Sequence, residues 1–462
     1  MTGRILRIEL RRSAAPGVAL LSLVTGTALV LTSTEFYAGR WMQLAITART
    51  MLMVLLPLAL AGGAWLGRRD ARHRVDELFA STVRPRWQRV GPAAGALAGA
   101  VATAYLLVFL VAAGWVVRTA GYFPANAMVV IAVGVPALIA AAWLGMAAGR
   151  AVPRLVTAPL VAVLGFVLVG LVPEWVMTVD TATTLARLRP EPSAVLLVPT
   201  FSGGVDDFQT VTNRVSLLQM VWLVSLAATG LLLLGAVRRR AIALAVLPAV
   251  LGAAVTVPLL PVGGTRGAVV ADPVAVELVC DNDGPQVCVT RAHAGVLPDV
   301  VGPAREALAV IAAKLPDAPV RAVETQQVAY WAQLTPDLSP PRHPGDTLVF
   351  ETPTINRTGG ADLSDGDFVP SLLRAVWEQE CGEGSEDDEP LARRLAAAWL
   401  SDQPPALESW WDRTDAERAQ RAYQALVGLP EAEQRHRMAA ARDAALDCRT
   451  DALLALLPEE KP

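Results

Sequence analysis

Residues 67–90, GRRDARHRVDELFASTVRPRWQRV, separate two apolar segments that are each long enough to cross a membrane. They contain seven arginines, whereas the apolar segments on either side carry almost no charge. Arginine that clusters beside an apolar span is typical of the cytoplasmic face of a membrane protein. This stretch therefore indicates both the class of the protein and the side of the membrane on which the rest of the chain lies.

The remainder of the first 264 residues repeats this apolar character. Hydrophobic residues make up 53% of the chain, which is too apolar for a soluble enzyme. A helix needs roughly 20 apolar residues to cross the hydrocarbon core of about 30 Å. We therefore predict a mostly α polytopic membrane protein with about seven transmembrane helices. The predicted spans are residues 16–32, 49–66, 92–117, 127–148, 154–174, 216–236 and 241–261.

The distribution of arginine predicts the orientation of these spans. With the N-terminus in the cytoplasm, the cytoplasmic segments hold 16 arginines and the outer segments hold six. Because positive residues concentrate on the cytoplasmic side, we predict this orientation in the plasma membrane. An odd number of spans then places the C-terminal part outside the cell. The first span has no convincing small-x-small cleavage site after it, so we expect it to be retained.

A change in charge predicts the domain boundary. Residues 1–264 contain 22 Lys and Arg against 10 Asp and Glu, whereas residues 265–462 contain 18 against 33. All four cysteines lie in the acidic part, and an even number in one segment is typical of disulfides in an oxidising compartment. We predict a transmembrane domain over 1–264, whose seventh span is a tether. An extracytoplasmic α/β or α+β domain with disulfides follows over 265–462.

The predicted disulfides follow from local structure in this acidic part. Cys280 and Cys288 flank a turn between two predicted strands, where opposed residues lie about 4.5–5.5 Å apart at Cα, within the range that a disulfide requires. Cys381 and Cys448 each end a predicted helix. Of three possible connectivities, we predict Cys280–Cys288 with Cys381–Cys448. Helices are expected near 301–314, 369–381, 390–401, 414–427 and 431–447, and further strands near 319–324 and 347–351.

The arginine-rich stretch contains more than arginine. Residues 72–82, RHRVDELFAST, predict two or three helical turns with Val75, Leu78 and Phe79 on one face. A segment that only anchors the membrane hairpin needs arginines and no more. The apolar face and the acidic residue Glu77 beside it favour a docking helix, and a plain cytoplasmic anchor is the alternative.

The order of these elements resembles the permease subunits of ABC-2-type transporters, particularly actinobacterial ones. An amphipathic segment over 2–12 precedes a two-span hairpin that ends in GRR…ELFASTVRPRW, and three more spans follow. An outer excursion over about 175–214 then lies between the fifth and sixth spans. The resemblance covers about 1–240, and the seventh span and outer domain depart from the family pattern.

The resemblance implies a set of partners. The cytoplasmic loop after the second span contacts a separate ABC ATPase subunit in that family, and short outer helices lie between the fifth and sixth spans. The permease is expected to work in the lipid membrane as a homodimer or as a heterodimer with a second permease. The docking residues implied in this chain are Val75, Glu77, Leu78, Phe79 and Arg84.

Missing motifs exclude several chemistries. Neither of the two lysines, Lys314 and Lys461, lies in the Gly-Lys-Ser/Thr context of a Walker A loop. No His-Glu-x-x-His and no Cys-x-x-Cys occurs, and His293 is isolated from the cysteines in sequence. We predict no catalytic residue, no bound metal, no cofactor and no nucleic-acid partner.

Ionisable residues are nearly missing from the predicted spans. Arg49 lies at the edge of the second and Glu174 at the outer end of the fifth. A proton-coupled carrier needs such residues inside its spans, so energy for transport is expected from the partner ATPase. The alternative function is a non-transporting, membrane-anchored binding or sensory protein that displays the outer domain.

Overall fold

Two compact units make up the chain in this computed structural model. The first contains Met1–Arg118 and Phe123–Asp272, and the second contains Thr119–Tyr122 and Pro273–Pro462. The change between units after Asp272 lies close to the change in charge near residue 264. The described residues are 14–69, 86–171, 179–180, 187–188, 192–201, 205–236, 238–326, 343–364, 366–379, 389–405 and 413–457.

The first unit consists mainly of apolar helices. Helices suit such segments because each backbone N–H and C=O is paired within the helix, as hydrocarbon requires. The helices are α1 Ala15–Thr32, α2 Thr34–Tyr37, α3 Trp41–Thr50, α4 Leu52–Gly67, α5 Arg86–Val116, α6 Asn126–Ala132, α7 Gly134–Ala151, α8 Thr157–Phe166, α9 Asn213–Gly235, α10 Arg239–Thr256 and α11 Gly264–Ala268.

Several helices of this unit are long and apolar enough to cross a membrane. Within the described residues, five helices are long and apolar enough to cross a membrane. A sixth arises if α3 and α4, which are bent by 41° relative to each other, form one broken span. The apolar helix Thr157–Leu171 is shorter. The mostly α membrane architecture expected from the sequence is therefore present, and the number of seven spans stays a prediction.

Helices α4 and α7 approach each other so closely that their backbones touch. Each carries two glycines four residues apart, Gly63 and Gly67 on α4 and Gly145 and Gly149 on α7. A Cβ atom at any of the four would strike the backbone of the opposite helix. Small residues at this spacing are typical of close helix pairs in membranes. The contacts ascend together along both helices, which therefore run in the same direction: Gly63 faces Ala142, Gly67 faces Met146, Gly145 faces Leu60 and Gly149 faces Ala64.

The starts of α3, α6 and α9 meet at one end of the first unit. Arg40, just before α3, pairs with Asp207 at 2.7 Å, and Asn126 at the start of α6 donates a hydrogen bond to Thr210. Between α8 and α9, strand β1, Val179–Asp180, pairs antiparallel with β2, Arg187–Leu188. Strand β3, Gln209–Val211, precedes α9 and pairs antiparallel with β4, Val269–Ala271, which follows α11. The residues after the last long helix therefore return to the end from which α3, α6 and α9 begin.

The second unit is built on a four-stranded sheet with the order β5-β6-β7-β8. The first two strands form an antiparallel hairpin, and the last three are parallel. Helix α12, Leu297–Lys314, connects β6 to β7, as a parallel pair requires a crossover. The strands are β5 Leu278–Asp281, β6 Gln286–Thr290, β7 Arg321–Glu324 and β8 Thr347–Phe350.

In the described part of the chain, five further helices follow the sheet and share its core. Leu308 of α12, Leu348 of β8 and Leu391 of a helix that follows the sheet are among the buried side chains that join the two layers. Trp377 is fully buried and its indole N–H donates to the backbone oxygen of Met438 at 3.4 Å. The helices are α13 Phe368–Ala375, α14 Glu389–Ser401, α15 Arg413–Val427, α16 Glu431–Leu446 and α17 Asp451–Leu454.

This layout agrees closely with the elements expected in the acidic part. The predicted helices coincide with α12 to α16 within a few residues, except that the helix expected over 369–381 already ends at Ala375. The predicted strands coincide with β5 to β8. The β-α-β crossover next to an antiparallel hairpin makes the sheet mixed.

The hairpin β5–β6 contains the expected disulfide. Cys280 and Cys288 oppose each other with Cα atoms 4.0 Å apart, and their sulfurs are bonded at 2.03 Å. Beside it, a backbone hydrogen bond from Asp283 and an ion pair with Arg305 lower the pKa of Asp281.

The second predicted disulfide lies partly outside the described residues. Cys448 is disulfide-bonded and has a positive φ of 58° at the end of α16. Cys381, its expected partner, lies in the segment 380–388 that the structure does not describe. The pairing Cys381–Cys448 therefore stays a prediction.

Candidate functional site

The predicted docking residues lie outside the part of the chain that the structure describes. Residues 70–85 contain all five of them: Val75, Glu77, Leu78, Phe79 and Arg84. The predicted helix over 72–82, which bears the apolar face, lies in the same segment. The amphipathic segment over 2–12 also falls outside the described residues. The docking surface therefore stays a prediction.

The start of the same loop is described. Arg68 immediately follows α4, and its guanidinium carbon lies 4.3 Å from the centre of the Trp65 ring. Arg68 is only 5% exposed. A cation stacked on an indole gains electrostatic attraction from the face of the ring. This contact holds the first residue of the loop against the end of α4.

A fully buried arginine lies near the opposite end of α4, beside the bend that separates α4 from α3. Arg49 is in the last turn of α3, next to the bend between the two helices, and its side chain is 0% exposed. Its Nη2 donates to Oε1 of Gln219 at 2.9 Å, and its Nε donates to the backbone oxygen of Pro199. Arg49 thus connects three parts of the first unit: α3, α9 and the excursion between α8 and α9.

Three other side chains hold the same excursion in place. Gln219 Nε2 donates to the backbone oxygen of Leu196 at 2.8 Å, and Trp222 Nε1 donates to that of Leu197 at 3.1 Å. Thr50 Oγ1 donates to the backbone oxygen of Phe201 at 3.3 Å. We call Arg49, Thr50, Gln219 and Trp222 the excursion clamp. It holds residues 196–201, which include the end of the 3-10 helix Ser193–Leu197, by their backbone carbonyls.

The charge at the centre of the excursion clamp is not balanced by a carboxylate. Within the described residues no Asp or Glu pairs with Arg49, and its Nη1 has no hydrogen-bond partner. The Phe201 ring centre lies 6.0 Å from the guanidinium carbon, which gives a weak cation–π contact. A buried cation without an anionic partner is costly. Arg40, nine residues earlier in sequence, has Asp207 as its partner.

A second buried polar cluster lies in the second unit, at the carboxyl ends of its parallel strands. Thr290 ends β6, Glu324 ends β7, and Thr352 follows β8. The backbone N–H of Thr290 donates to Glu324 Oε2 at 2.6 Å, and the Thr352 hydroxyl donates to Oε1. His293 Nδ1, from the 3-10 helix after β6, meets the same Oε1. Glu324 is 2% exposed and His293 is 7% exposed.

This second cluster joins the ends of three strands. Ligands bind at the carboxyl ends of parallel strands in open α/β sheets, but here the side chains bond to one another. Within the described part of the chain, no three His, Cys, Asp or Glu side chains converge in a way that would hold a metal ion. The arrangement shown is therefore suited to fixing the strand ends, with Glu324 as the shared acceptor.

Neither polar cluster follows from the sequence motifs. Arg49 reads as the edge of a span and His293 as an isolated histidine, because their partners are distant in sequence. The usable signal was the pair of polar residues Arg49 and Gln219 in otherwise apolar segments, since such residues tend to mark functional sites. Comparisons with protein-family models, curated proteins and solved structures found nothing that matches this chain.

Proposed function

We propose that this chain is the permease subunit of an ATP-driven, ABC-2-like exporter that works with a separate ATPase subunit. The observation that carries the proposal is the excursion clamp. It fastens the residues between the fifth and sixth predicted spans to the broken helix pair α3–α4 through Arg49 and to α9 through Gln219. A short helical element at this place is what the resemblance to ABC-2 permeases implies, and Ser193–Leu197 occupies it.

The arrangement of helix ends supports placing the ATPase-docking loop on one side of the plasma membrane and the excursion with the tail on the other. The excursion, the starts of α3, α6 and α9, and the residues leading to the tail lie at one end of the first unit. Residues 70–85 follow the other end of α4. With the arginine-rich loop in the cytoplasm, the excursion and the cysteine-containing tail face outwards.

A mechanism follows from the packing of the first unit. The ATPase would act on the loop that follows α4, and α4 is held tightly to α7 by the contacting glycines. Movement of this pair would reach the bend before α4, where Arg49 holds the excursion. Docking on one side would in this way change the opening on the other. Two copies, or this chain and a second permease, would enclose the route.

One observation favours the alternative of a non-transporting protein that displays the tail. The second unit has an extensive buried core of its own and a sheet fixed by the Glu324 cluster. A domain whose role is to be displayed outside the membrane would need the same stable core and sheet. The alternative needs no ATPase, so the presence or absence of that partner separates the two functions.

The docking residues provide the test of the proposal. We expect replacement of Leu78 and Phe79 by alanine to reduce co-purification of the ATPase from detergent by roughly tenfold or more, since buried anchors at an interface commonly contribute about 2 kcal/mol or more and each 1.4 kcal/mol corresponds to about a factor of ten. Both changes keep every positive charge, so the orientation of the hairpin should be unaffected.

The matched control is Arg72→Gln with Arg74→Gln, which removes charge from the same loop and keeps its apolar residues. This control should retain most of the ATPase, because the apolar face supplies the anchors. If the Leu78 and Phe79 variant retains the ATPase as well as the wild type does, the stretch is an anchor only. Failure of the wild-type chain to recover any ATPase would favour the display function.

A further inference from the structure

We infer that Arg49 is a binding site for an anionic group, with phosphate or phosphate ester as the chemical class that fits it. The inference concerns a residue for which the sequence motifs assign no role. That the anion belongs to the exported molecule rests on the proposed function. That Arg49 binds such an anion does not depend on an ATPase.

The positive charge of Arg49 has no anionic partner among the described residues. Arg49 is completely buried, and among the described residues both of its hydrogen-bonded acceptors are neutral and its Nη1 has no hydrogen-bond partner. Burial of a cation without an anion is unfavourable. A guanidinium is a planar fork of N–H donors that matches the oxygens of phosphate and carboxylate. An anion would satisfy the remaining donors and balance the charge.

The guanidinium N–H groups of Arg49 donate to neutral acceptors. The backbone oxygen of Pro199 and the amide oxygen of Gln219 are weaker partners than an anion, because an anionic oxygen adds to the hydrogen bond a Coulomb attraction to the guanidinium that a neutral oxygen lacks. An anion that reaches Arg49 would therefore be preferred over Pro199. The exchange would release the excursion from one of its fastenings.

Arg49 also lies at a place where the first unit can move. Arg49 is next to the 41° break between α3 and α4, and its acceptor Pro199 belongs to a segment held by a few side-chain contacts. Movement of that segment would uncover the guanidinium without unfolding a helix. A purely structural arginine would also hold the excursion, but it would make the protein indifferent to anions. That difference is measurable.

The test uses the purified full-length chain and its thermal unfolding. One arm titrates inorganic phosphate into protein in neutral detergent at constant ionic strength. The other compares nanodiscs of phosphatidylglycerol with nanodiscs of phosphatidylcholine. We expect saturable stabilisation of the wild type in at least one arm, and we expect Arg49→Gln to weaken the apparent affinity by roughly tenfold or more.

The control and two further variants keep the result decisive. Arg214→Gln removes the same charge from an exposed arginine at the start of α9 and should respond to anions as the wild type does. Arg49→Lys keeps the charge but loses the fork, so its response should be intermediate. Gln219→Leu removes a neutral acceptor, so its affinity for the anion should rise. These last two variants decide the question if Arg49→Gln does not fold.

The possible outcomes separate the sources and the proposals. Stabilisation by phosphate supports a site open to soluble anions, and stabilisation only by phosphatidylglycerol supports a lipid headgroup as the ligand. The inference is wrong if the wild type responds to neither anion, or if Arg49→Lys and Gln219→Leu respond as the wild type does. Anion binding without a co-purified ATPase would leave the site intact and count against the exporter. A bound ATPase without an anion response would do the reverse.

Discussion

Replacing Gly63 and Gly149 together by alanine should destabilise the first unit by roughly 3 kcal/mol or more, since overpacking of a tight core costs about 1–3 kcal/mol at each position and occasionally more. The physical reason is that each new Cβ would strike the backbone of the opposite helix, at Ala142 and Ala64, which cannot rotate away as a side chain can. Helices α4 and α7 would have to separate along their contact. Thermal unfolding and titration with a denaturing detergent measure the loss.

The matched control replaces Gly99 and Gly114, both in α5, by alanine. A Cβ at either position meets nothing within 4 Å. Glycine in a helix interior is about 1 kcal/mol less favourable than alanine, so the control should be as stable as the wild type or more so. Equal stability of the two double variants would mean that α4 and α7 do not need their close approach, and the rigid pair in the proposed mechanism would lose its basis.

Replacing Glu324 by alanine should destabilise the second unit by roughly 2–4 kcal/mol, because loss of one partner leaves buried polar groups unsatisfied. The carboxylate accepts from the backbone of Thr290 and from the hydroxyl of Thr352, and it meets His293. Hydrogen exchange of the peptides that contain β6, β7 and β8 would report the loss at the strand ends. Protection of peptides from the first unit should be unchanged.

Two variants locate the cause of that effect. Glu306→Ala removes an exposed carboxylate from α12 and should change exchange very little. Glu324→Gln keeps the shape and one acceptor, so it should be less damaging than Glu324→Ala. If Glu324→Ala exchanges as slowly as the wild type, the cluster does not fix the strand ends.

Local signals explain what the sequence predicts well. The hairpin around Cys280 and Cys288 is set by the turn residues between them, where Gly284 has a φ of 126° that other residues rarely adopt. The tail helices follow from apolar residues at helical spacing. Both signals lie within a few residues of the structure that they describe. They can therefore be recognised in the sequence without knowledge of the rest of the chain.

Contacts between distant residues explain what the sequence does not predict. The hydrogen-bond partners of the buried Arg49 are Pro199 and Gln219, which lie 150 and 170 residues further along the chain, so no local pattern reveals them. His293 gains its partner Glu324 from another strand, 31 residues away. The spacing of Gly63 and Gly67 is visible in the sequence, but the neighbouring residues do not indicate which helix these glycines contact.

The connection between α5 and α6 is a further case. It reads as a short outer loop between two spans. In the structure Thr119–Tyr122 groups with the second unit, where Gly121 packs against Ala294. In the proposed topology this connection and the tail therefore share a side of the membrane.

The central claim is that the arginine-rich loop faces the cytoplasm, where an ATPase can dock, while the tail faces outwards. Single cysteines at Ser81 in the loop and at Gly302 in the tail, an exposed position with open space around it, can be labelled in intact cells with a membrane-impermeant thiol reagent. The account predicts that Gly302→Cys is labelled in intact cells and that Ser81→Cys is labelled only after the membrane is permeabilised. Labelling of both positions from the outside, or of Ser81→Cys alone, would contradict it.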